Sequence, residues 1–329
     1  MDADQLKRPL RFTPVYQNVV WGGRRLEAWR ADLPAGPIGE SWELSQQGRG
    51  MSMVAEGPLA GTRLDELMAS APEAIVGSGY DDAEFPLLIK IIDANDRLSV
   101  QVHPDDALAQ ELGVGQRGKT ECWYLIGDGG ELYQGTQAGC DRLRFEQALA
   151  EDTVADEVNR FETGDGDFFF MPARTVHALG RGCLLFEIQQ SCDCTFRVYD
   201  WGRVGLDGKP RQLHVAESLR TIDFDQDEAG PATGDRRPHS AGGDERPLVD
   251  CAYFSVTERR LAAETVTGGG DEAAASIIML IDGSGELQAG DDSLQLNAMQ
   301  TALVPACAGT WRFDAAEDCR FLVARPRWH

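Results

Sequence analysis

The sequence predicts a mainly β protein made of two similar barrel-like units with short helical insertions. Short runs of β-branched, aromatic and other apolar residues, punctuated by glycine and proline, extend over most of the chain. Such runs are typical of β-sandwiches and barrels. Helical spacing of apolar residues is confined to a minority of segments, at residues 63–75, 107–112, 144–161 and 213–222.

An internal repeat indicates that the barrel-like unit occurs twice. Residues 124–135 (YLIGDGGELYQG) resemble residues 279–290 (MLIDGSGELQAG), and residues 171–172 correspond to residues 304–305. The second copy is shorter because it lacks the helical insertion near residues 141–160, and repeated stretches of this kind indicate a duplicated unit. The predicted organisation is a first domain, an acidic, Gly- and Pro-containing linker and a second domain, at residues 1–222, 223–247 and 248–329.

The composition excludes several classes of protein. The formal net charge of −23 at pH 7 argues against a nucleic-acid binder, because phosphate backbones are bound by cationic surfaces. No apolar run approaches the roughly 18 residues that a membrane span needs, and the N-terminus has no apolar signal region. Eight cysteines without dense spacing are typical of reduced thiols. These features predict a cytoplasmic protein that acts on a small molecule.

Four polar residues in apolar strand-like contexts are candidates for a metal site. Gln101 and His103 alternate along one run, so their side chains project from the same face. Glu121 begins a second run, and His177 follows a third. A single buried histidine is more often a hydrogen-bonded core residue, but these are the two of five histidines that lie in apolar strand contexts. Two imidazoles, a carboxylate and an amide oxygen can hold zinc and leave room for substrate.

Several ordered segments resemble those of a known enzyme family. They are GESWE at 39–43, PLLIKIIDA at 86–94, LSVQVHPD at 98–105, GKTECWY at 118–124 and TFRVYDW at 195–201. Together they are similar to type I mannose-6-phosphate isomerases in their short bacterial form, from about residue 10 to residue 222. The remainder matches only in general architecture. The resemblance implies two cupin-type jelly-roll barrels.

The second copy is expected to lack the metal. Alignment of the repeat places Ser276 opposite Glu121 and Thr310 opposite His177, and residues 240–328 contain no histidine. We therefore predict one Zn²⁺ per chain, in the first copy.

The resemblance also implies roles for the surrounding residues. It implies metal binding by Gln101, His103, Glu121 and His177, an essential role for Arg197, and substrate binding by Ser99, Lys90, Arg203 and Glu40. The family often has lysine at the position of Arg203, and arginine preserves the charge. For the proton-transferring base we favour Glu187 over Lys119, because Lys119 alternatively only neutralises Glu121.

The predicted reaction interconverts mannose 6-phosphate and fructose 6-phosphate through a cis-enediol. A metal polarises the two oxygens, a base moves a proton between C1 and C2, and a cation stabilises the enediolate. A cupin Fe(II) dioxygenase and a non-catalytic sugar-phosphate regulator are the alternatives. The amide of Gln101 and the cations Lys90, Lys119 and Arg197 favour the isomerase. Both a monomer and a dimer are compatible with the sequence.

Overall fold

The computed structural model describes residues 3–226, 229–269 and 274–328, and β-strands dominate them. The strands are β1 (Leu10–Thr13), β2 (Val15–Gly23), β3 (Ile38–Leu44), β4 (Met53–Val54), β5 (Leu87–Asp93), β6 (Val100–Val102), β7 (Glu121–Leu125), β8 (Gly130–Thr136), β9 (Val158–Thr163), β10 (Phe168–Met171), β11 (His177–Leu179), β12 (Leu184–Gln190), β13 (Phe196–Tyr199), β14 (Arg237–Pro238), β15 (Asp244–Asp250), β16 (Phe254–Ala262), β17 (Thr265–Gly268), β18 (Ser276–Asp282), β19 (Ser284–Ala289), β20 (Asp292–Asn297), β21 (Thr301–Val304), β22 (Trp311–Ala315) and β23 (Asp318–Pro326).

Helices are few and short. The α-helices are α1 (Leu64–Ser70), α2 (Pro72–Val76), α3 (Asp106–Glu111), α4 (Arg142–Glu151) and α5 (Val215–Thr221), and 3-10 turns occur at Ala3–Leu6, Arg25–Ala28, Val154–Glu157 and Ala306–Ala308. No helix in the described part of the chain combines the length and apolarity needed to cross a membrane. All eight cysteines are free thiols.

The chain divides into two compact units, each formed from separate segments. The central unit comprises residues 16–41 and 89–232, and the terminal unit comprises residues 1–15, 42–88 and 233–329. Residues 42–88, which lie in the first half of the sequence, therefore group with the C-terminal residues. The predicted organisation into domains at residues 1–222 and 248–329, joined by a linker at residues 223–247, stays a prediction.

The central unit is built on a five-stranded and a six-stranded sheet. Their strand orders are β13-β6-β11-β8-β9 and β10-β7-β12-β5-β3-β2. Apolar side chains from both sheets form one core, which includes Trp123, Phe169 and Leu185 from the larger sheet and Leu132 and Leu179 from the smaller. Helices α4 and α5 cover the other face of the five-stranded sheet with a second apolar cluster. The polar residues of interest lie among these two sheets.

The terminal unit is built in the same way. Its sheets have the orders β14-β15-β16-β23-β18-β21-β1-β4 and β17-β22-β19-β20, and their facing side chains form a single core. The sheets are open, so each unit is a sandwich of the cupin type rather than a closed barrel. The predicted fold class, mainly β with two cupin-type units and short helical insertions, is confirmed.

The strand orders also confirm the internal repeat. The order β10-β7-β12-β5 matches β21-β18-β23-β16, and β6-β11-β8-β9 matches β17-β22-β19-β20. Helix α4 and a 3-10 turn separate β8 from β9, whereas only a tight turn separates β19 from β20. The helical insertion therefore belongs to the first copy alone, as the spacing of the repeat predicts.

One local prediction was wrong at its boundary, and one segment expected as a linker contains strands. The helix expected over 144–161 ends at Glu151, because residues 158–163 pair with β8 as a strand. The linker expected over 223–247 already contains β14 and the start of β15, which pair with each other. Residues 227–228 of that linker lie outside the described residues.

Candidate metal centre

Three side chains that can bind a metal meet in a buried cluster of the central unit. Their possible ligand atoms, one from each of His103, Glu121 and His177, all lie within 4.8 Å of one another. Glu121 Oε1 lies 3.2 Å from His177 Nε2 and 3.7 Å from His103 Nε2. The spacing is that of groups able to share one divalent cation.

Strand pairing brings these residues together from distant parts of the sequence. His177, the first residue of β11, pairs directly with Gln101 of β6, and His103 follows β6 by one residue. Directly paired residues of antiparallel strands place their side chains on the same face. Glu121 begins β7 in the facing sheet. The two sheets thus supply the cluster at one end of their shared core.

Both histidines are oriented by main-chain carbonyls. His103 Nδ1 donates to the carbonyl of Cys194 and His177 Nδ1 donates to the carbonyl of Thr175, each over 2.9 Å. With Nδ1 as the donor, each ring turns its Nε2 toward the carboxylate of Glu121. This is the arrangement of metal-binding histidines, in which a hydrogen bond at one nitrogen fixes the tautomer that leaves the other free to bind.

The carboxylate of Glu121 also favours a bound cation. Its Oε1 is buried and has no hydrogen-bond partner among the described residues. The two imidazole Nε2 atoms lie beside this oxygen, and a buried acceptor without a donor, as Oε1 is, is costly. A cation bound between them would satisfy all three atoms. The residues present therefore fit the metal that the sequence predicts.

Gln101 lies beside the three ligands. Its amide nitrogen is 3.4 Å from His177 Nε2. Half a turn of the amide group presents Oε1 at the same place, since the two ends of the amide are nearly the same in shape. Gln101 is therefore positioned to be the fourth ligand.

Lys119 supplies a fixed positive charge at the edge of the cluster. Its Nζ is 2.5 Å from Glu121 Oε2 and 3.3 Å from His103 Nε2. The preceding Gly118 makes this possible, because a Cβ at that position would collide with the main chain of Pro104 and Asp105. Close approach of these two segments sets the ammonium beside the imidazole.

The electrostatics hold each group in the state that the site requires. Burial, with the ammonium of Lys119, lowers the pKa of His103 well below its ordinary value. Burial alone would raise the pKa of Glu121, but Lys119 and His103 lower it well below the usual range. Burial would lower the pKa of Lys119, yet Glu121 and Glu187 raise it. The site therefore presents neutral imidazole, carboxylate and ammonium near neutral pH.

Glu187 belongs to a second buried cluster. Lys90 Nζ donates to its Oε1 over 2.8 Å, and Trp123 Nε1 donates to its Oε2 over 2.9 Å. Glu40 lies at the edge, with its Oε2 3.9 Å from Lys90 Nζ. The Trp123 ring also meets the His177 ring edge to face, with centroids 5.3 Å apart. The second cluster therefore shares a wall with the metal cluster.

Arg197 lies beside Ser99 on the five-stranded sheet. Its Nε donates to Ser99 Oγ over 3.2 Å, and its Nη1 donates to the carbonyl of Gln212 over 2.9 Å. Arg197 pairs with Gln101 across β13 and β6, so the guanidinium and the amide share one face. Burial, with the charges of Arg211 and Arg203, lowers the pKa of Arg197.

Arg203 lies in a separate ion cluster, about Asp200. Arg203 Nη2 is 2.8 Å from Asp200 Oδ1, and Arg211 Nε is 2.8 Å from Asp200 Oδ2. The two guanidiniums lower the pKa of this carboxyl, although burial alone would raise it. Arg211, Asp200 and the orienting carbonyls of Cys194 and Thr175 were missed in the sequence. Only Arg211 had a signal, since it is a cation in the same polar segment as Arg203.

The terminal unit shows what stands in the corresponding positions. Ser276, the first residue of β18, pairs with Val304 just as Glu121 pairs with Met171, so the predicted match of Ser276 with Glu121 is confirmed. A serine cannot replace the carboxylate as a metal ligand.

The predicted match of His177 with Thr310 was wrong by one residue. The first residue of β22 is Trp311, which pairs with Gly268 as His177 pairs with Gln101. The connection before β22 is one residue longer than the connection before β11, which an ungapped alignment cannot detect. A Cβ at Gly268 would collide with the Trp311 ring. An indole over a glycine therefore replaces two of the candidate ligands.

Comparison with known proteins identifies relatives of the whole chain. The family described as phosphomannose isomerase type I, catalytic domain, matches residues 10–120. A probable mannose-6-phosphate isomerase of Bacillus subtilis is 33% identical in sequence, and the match covers 98% of this chain and 100% of the relative. The mannose-6-phosphate isomerase of Streptococcus mutans is 34% identical, and the match covers 94% of this chain and 96% of that protein. These relatives match both units and not the first alone.

Solved structures show the same fold. The crystal structure of the mannose 6-phosphate isomerase from B. subtilis has a TM-score of 0.87 and 31% sequence identity, and the match covers 97% of this chain and 99% of that one. A putative mannosephosphate isomerase from Archaeoglobus fulgidus has a TM-score of 0.79 at 19% identity, over 98% of both chains. At that identity the second likeness shows the fold alone.

Proposed function

Because the chain belongs to the family of type I mannose-6-phosphate isomerases, we propose that its buried cluster of His103, Glu121 and His177 is the metal centre at which it interconverts mannose 6-phosphate and fructose 6-phosphate. The full-length similarity to named isomerases does not favour the dioxygenase or the regulator. The single observation that carries the assignment is the convergence of two oriented Nε2 atoms on an unpartnered carboxylate oxygen.

We assign the metal as one Zn²⁺ per chain, held by Gln101, His103, Glu121 and His177. Nitrogen and oxygen donors in a set of four suit zinc, and the amide is a weak ligand that leaves the metal electrophilic. When bound, the metal supplies a Lewis acid for the two oxygens on C1 and C2 of the sugar. The carbonyls behind both imidazoles support the assignment, because they keep the rings in the tautomer that binds.

Glu187 is the proposed base. Its carboxylate accepts hydrogen bonds at both oxygens, from Lys90 and from Trp123, and is buried next to the metal cluster. To move a proton between C1 and C2, a base must reach the same face of both carbons. A carboxylate held at both ends is fixed in place for that transfer.

Lys119 is less suited to be the base. Its pKa is raised, so it carries its proton at neutral pH and can donate but not accept. In the proposed reaction it is a hydrogen-bond donor that stabilises charge on an enediolate oxygen. The alternative, in which Lys119 only neutralises Glu121, rests on the same contact of 2.5 Å.

Arg197 and Arg203 provide the positive charge that an anionic substrate needs. The chain carries a formal net charge of −23, so a sugar phosphate must be held by local cations. Arg197 shares a face with Gln101 and is proposed to stabilise the enediolate. Ser99 and Arg203 are proposed to bind the phosphate, and Lys90 and Glu40 to bind sugar hydroxyls.

A coupled assay tests the function. Purified protein should convert mannose 6-phosphate to fructose 6-phosphate, lose that activity on treatment with a chelator and regain it when Zn²⁺ is added. Full activity after the bound metal has been removed would show that the cluster is not the catalytic centre. No conversion by the metal-loaded protein would reject the isomerase itself.

A further inference from the structure

The terminal unit contains a large cavity that the isomerase site does not explain. Its volume is about 750 Å³, and Trp311, Gly268 and Val323 line it. Trp311 and Gly268 are the counterparts of His177 and Gln101 in the repeat. The cavity therefore opens on the face that, in the first copy, carries the candidate metal centre.

Arginines dominate the charged lining of this cavity. Among the described residues they are Arg237, Arg259, Arg325 and Arg327, beside His239 and against the two carboxylates Glu245 and Asp250. Both carboxylates are already paired, since Glu245 lies 3.2 Å from Arg259 Nη2 and 3.0 Å from Arg237 Nε, and Asp250 lies 2.8 Å from Arg327 Nη2. In a chain of net charge −23, the described lining of this cavity thus holds four arginines and two carboxylates.

Several donors that line the cavity have no acceptor. Arg259 Nε, Arg259 Nη1 and Trp311 Nε1 are buried and make no hydrogen bond to any described residue. A buried donor without an acceptor destabilises the folded protein. The missing partner must offer acceptor oxygens only, because every unsatisfied group is a donor.

The arginines also repel one another. Burial lowers the pKa of Arg259, as do the guanidiniums of Arg325 and Arg237, while Glu245 opposes them. Burial and the charge of Arg327 lower the pKa of Arg325. Like charges kept close together in a partly buried cavity are costly unless an anion neutralises them.

We propose that this cavity is a second binding site, in which Arg259, Arg325 and Trp311 bind the phosphate group of a small phosphate ester. Guanidinium groups match the geometry of phosphate oxygens, and the indole N–H adds one further donor. The volume is that of a site for a small metabolite. The hydroxyl groups of Ser255 and Thr257 line the remaining space and suit the hydroxyls of such an ester.

The face of a duplicated fold has thus changed its ligand from a cation to an anion. In the first copy the possible ligand atoms are acceptors that lie within 4.8 Å of one another, and in the second the unsatisfied atoms of Arg259 and Trp311 are donors. The proposal does not depend on the isomerase assignment, since no residue of the cavity belongs to the metal cluster. If the second binding site is disproved, the isomerase assignment is unaffected, and the reverse also holds.

Calorimetric titration tests the proposal, with glycerol 3-phosphate and inorganic phosphate as probes. Arg259→Gln should remove one binding event per chain or weaken it about tenfold or more. Trp311→Phe, which keeps the ring and removes the N–H, should weaken the same event about fivefold. Arg312→Gln is the matched control, because Arg312 adjoins Trp311 in sequence but pairs with Asp314 at the surface and does not line the cavity.

The outcomes separate the possibilities. The site is supported if Arg259→Gln and Trp311→Phe weaken the binding of glycerol 3-phosphate while Arg312→Gln retains it. Isomerase activity should be unchanged in all three variants. If Arg259→Gln does not fold, the weaker binding of Trp311→Phe decides. Unchanged binding in both cavity variants, or equal loss in the control, overturns it. Tighter binding of inorganic phosphate than of glycerol 3-phosphate overturns the ester as ligand.

Discussion

The two copies of the repeat have the same strand order but opposite chemistry on one face. In the central unit that face carries His177 and Gln101, and in the terminal unit it carries Trp311 and Gly268. The shared strand order therefore does not determine the chemistry of the site. A few side chains at strand ends decide whether the same face carries possible metal ligands or an indole packed over a glycine.

Each copy also contains a buried carboxylate, and the two differ in how they are satisfied. Glu258 in the terminal unit is fully buried and forms ion pairs with Arg236, Arg246 and Arg260 at 2.7–2.8 Å. Glu121 has a single cationic side chain, Lys119, at 2.5 Å, and its other oxygen faces two imidazole nitrogens, His177 Nε2 at 3.2 Å and His103 Nε2 at 3.7 Å. A carboxylate surrounded by arginines serves stability, whereas one that faces two imidazole nitrogens can share a metal ion with them.

Removing Glu121 should have the largest effect on catalysis. In Glu121→Ala the cluster loses its carboxylate, so the activity on mannose 6-phosphate should fall by about three orders of magnitude or more. Ser276→Ala, at the corresponding position of the second copy, is the control and should keep full activity. Steady-state rates of the coupled assay, with circular dichroism to verify folding, measure both. Normal turnover in Glu121→Ala would show that the cluster of the first copy is not needed for catalysis.

Replacing Glu187 should separate proton transfer from metal binding. Glu187→Gln keeps the shape but removes the basicity, so turnover should fall by roughly two to four orders of magnitude while the metal stays bound. In deuterated water the wild type should place deuterium on the carbon of the product that receives the proton, and the variant should lose this exchange. If Glu187→Gln stays active and Lys119→Met does not, Lys119 is the base.

Arg197 is expected to act on the reaction more than on the fold. Arg197→Ala should lower turnover by about two to three orders of magnitude through loss of enediolate stabilisation. The metal content and the unfolding temperature should stay close to those of the wild type. Arg312→Ala, on the surface of the second copy, controls for the loss of an arginine. An Arg197→Ala protein that fails to fold, or that turns over normally, would make this residue structural.

Glu258 should matter for stability alone. Glu258→Gln leaves three arginines around a neutral side chain and should destabilise the fold by about 3 kcal/mol, with isomerase activity per folded molecule unchanged. Although burial alone would raise the pKa of Glu258, the arginines lower it. Its stabilising effect is therefore present above the unfolded pKa, which is near 4.5, and is lost as the pH falls through the folded value. Denaturant titrations at pH 7 and pH 4 measure the free energy of unfolding of the wild type and of Glu258→Gln. An equal dependence on pH in the two proteins would contradict the stabilising role of the Glu258 carboxylate.

The sequence predicts the fold class and selects the three residues of the candidate metal cluster, because both leave local patterns in the chain. Gly- and Pro-punctuated β runs fix the strands, and His103 and Glu121 lie in or beside them. The tautomers set by Cys194 and Thr175 are invisible in the sequence, since main-chain carbonyls are present at every residue. The replacement of His177 by Trp311 was misassigned by one residue because loop length, and not residue type, determines the register.

The metal content of the purified protein tests the central claim most directly. Elemental analysis should find close to one equivalent of zinc per chain in the wild type and in Ser276→Ala, and little in Glu121→Ala. Such a result places a single metal in the first copy and none in the second. Two equivalents per chain, or the same content in Glu121→Ala as in the wild type, would contradict the account.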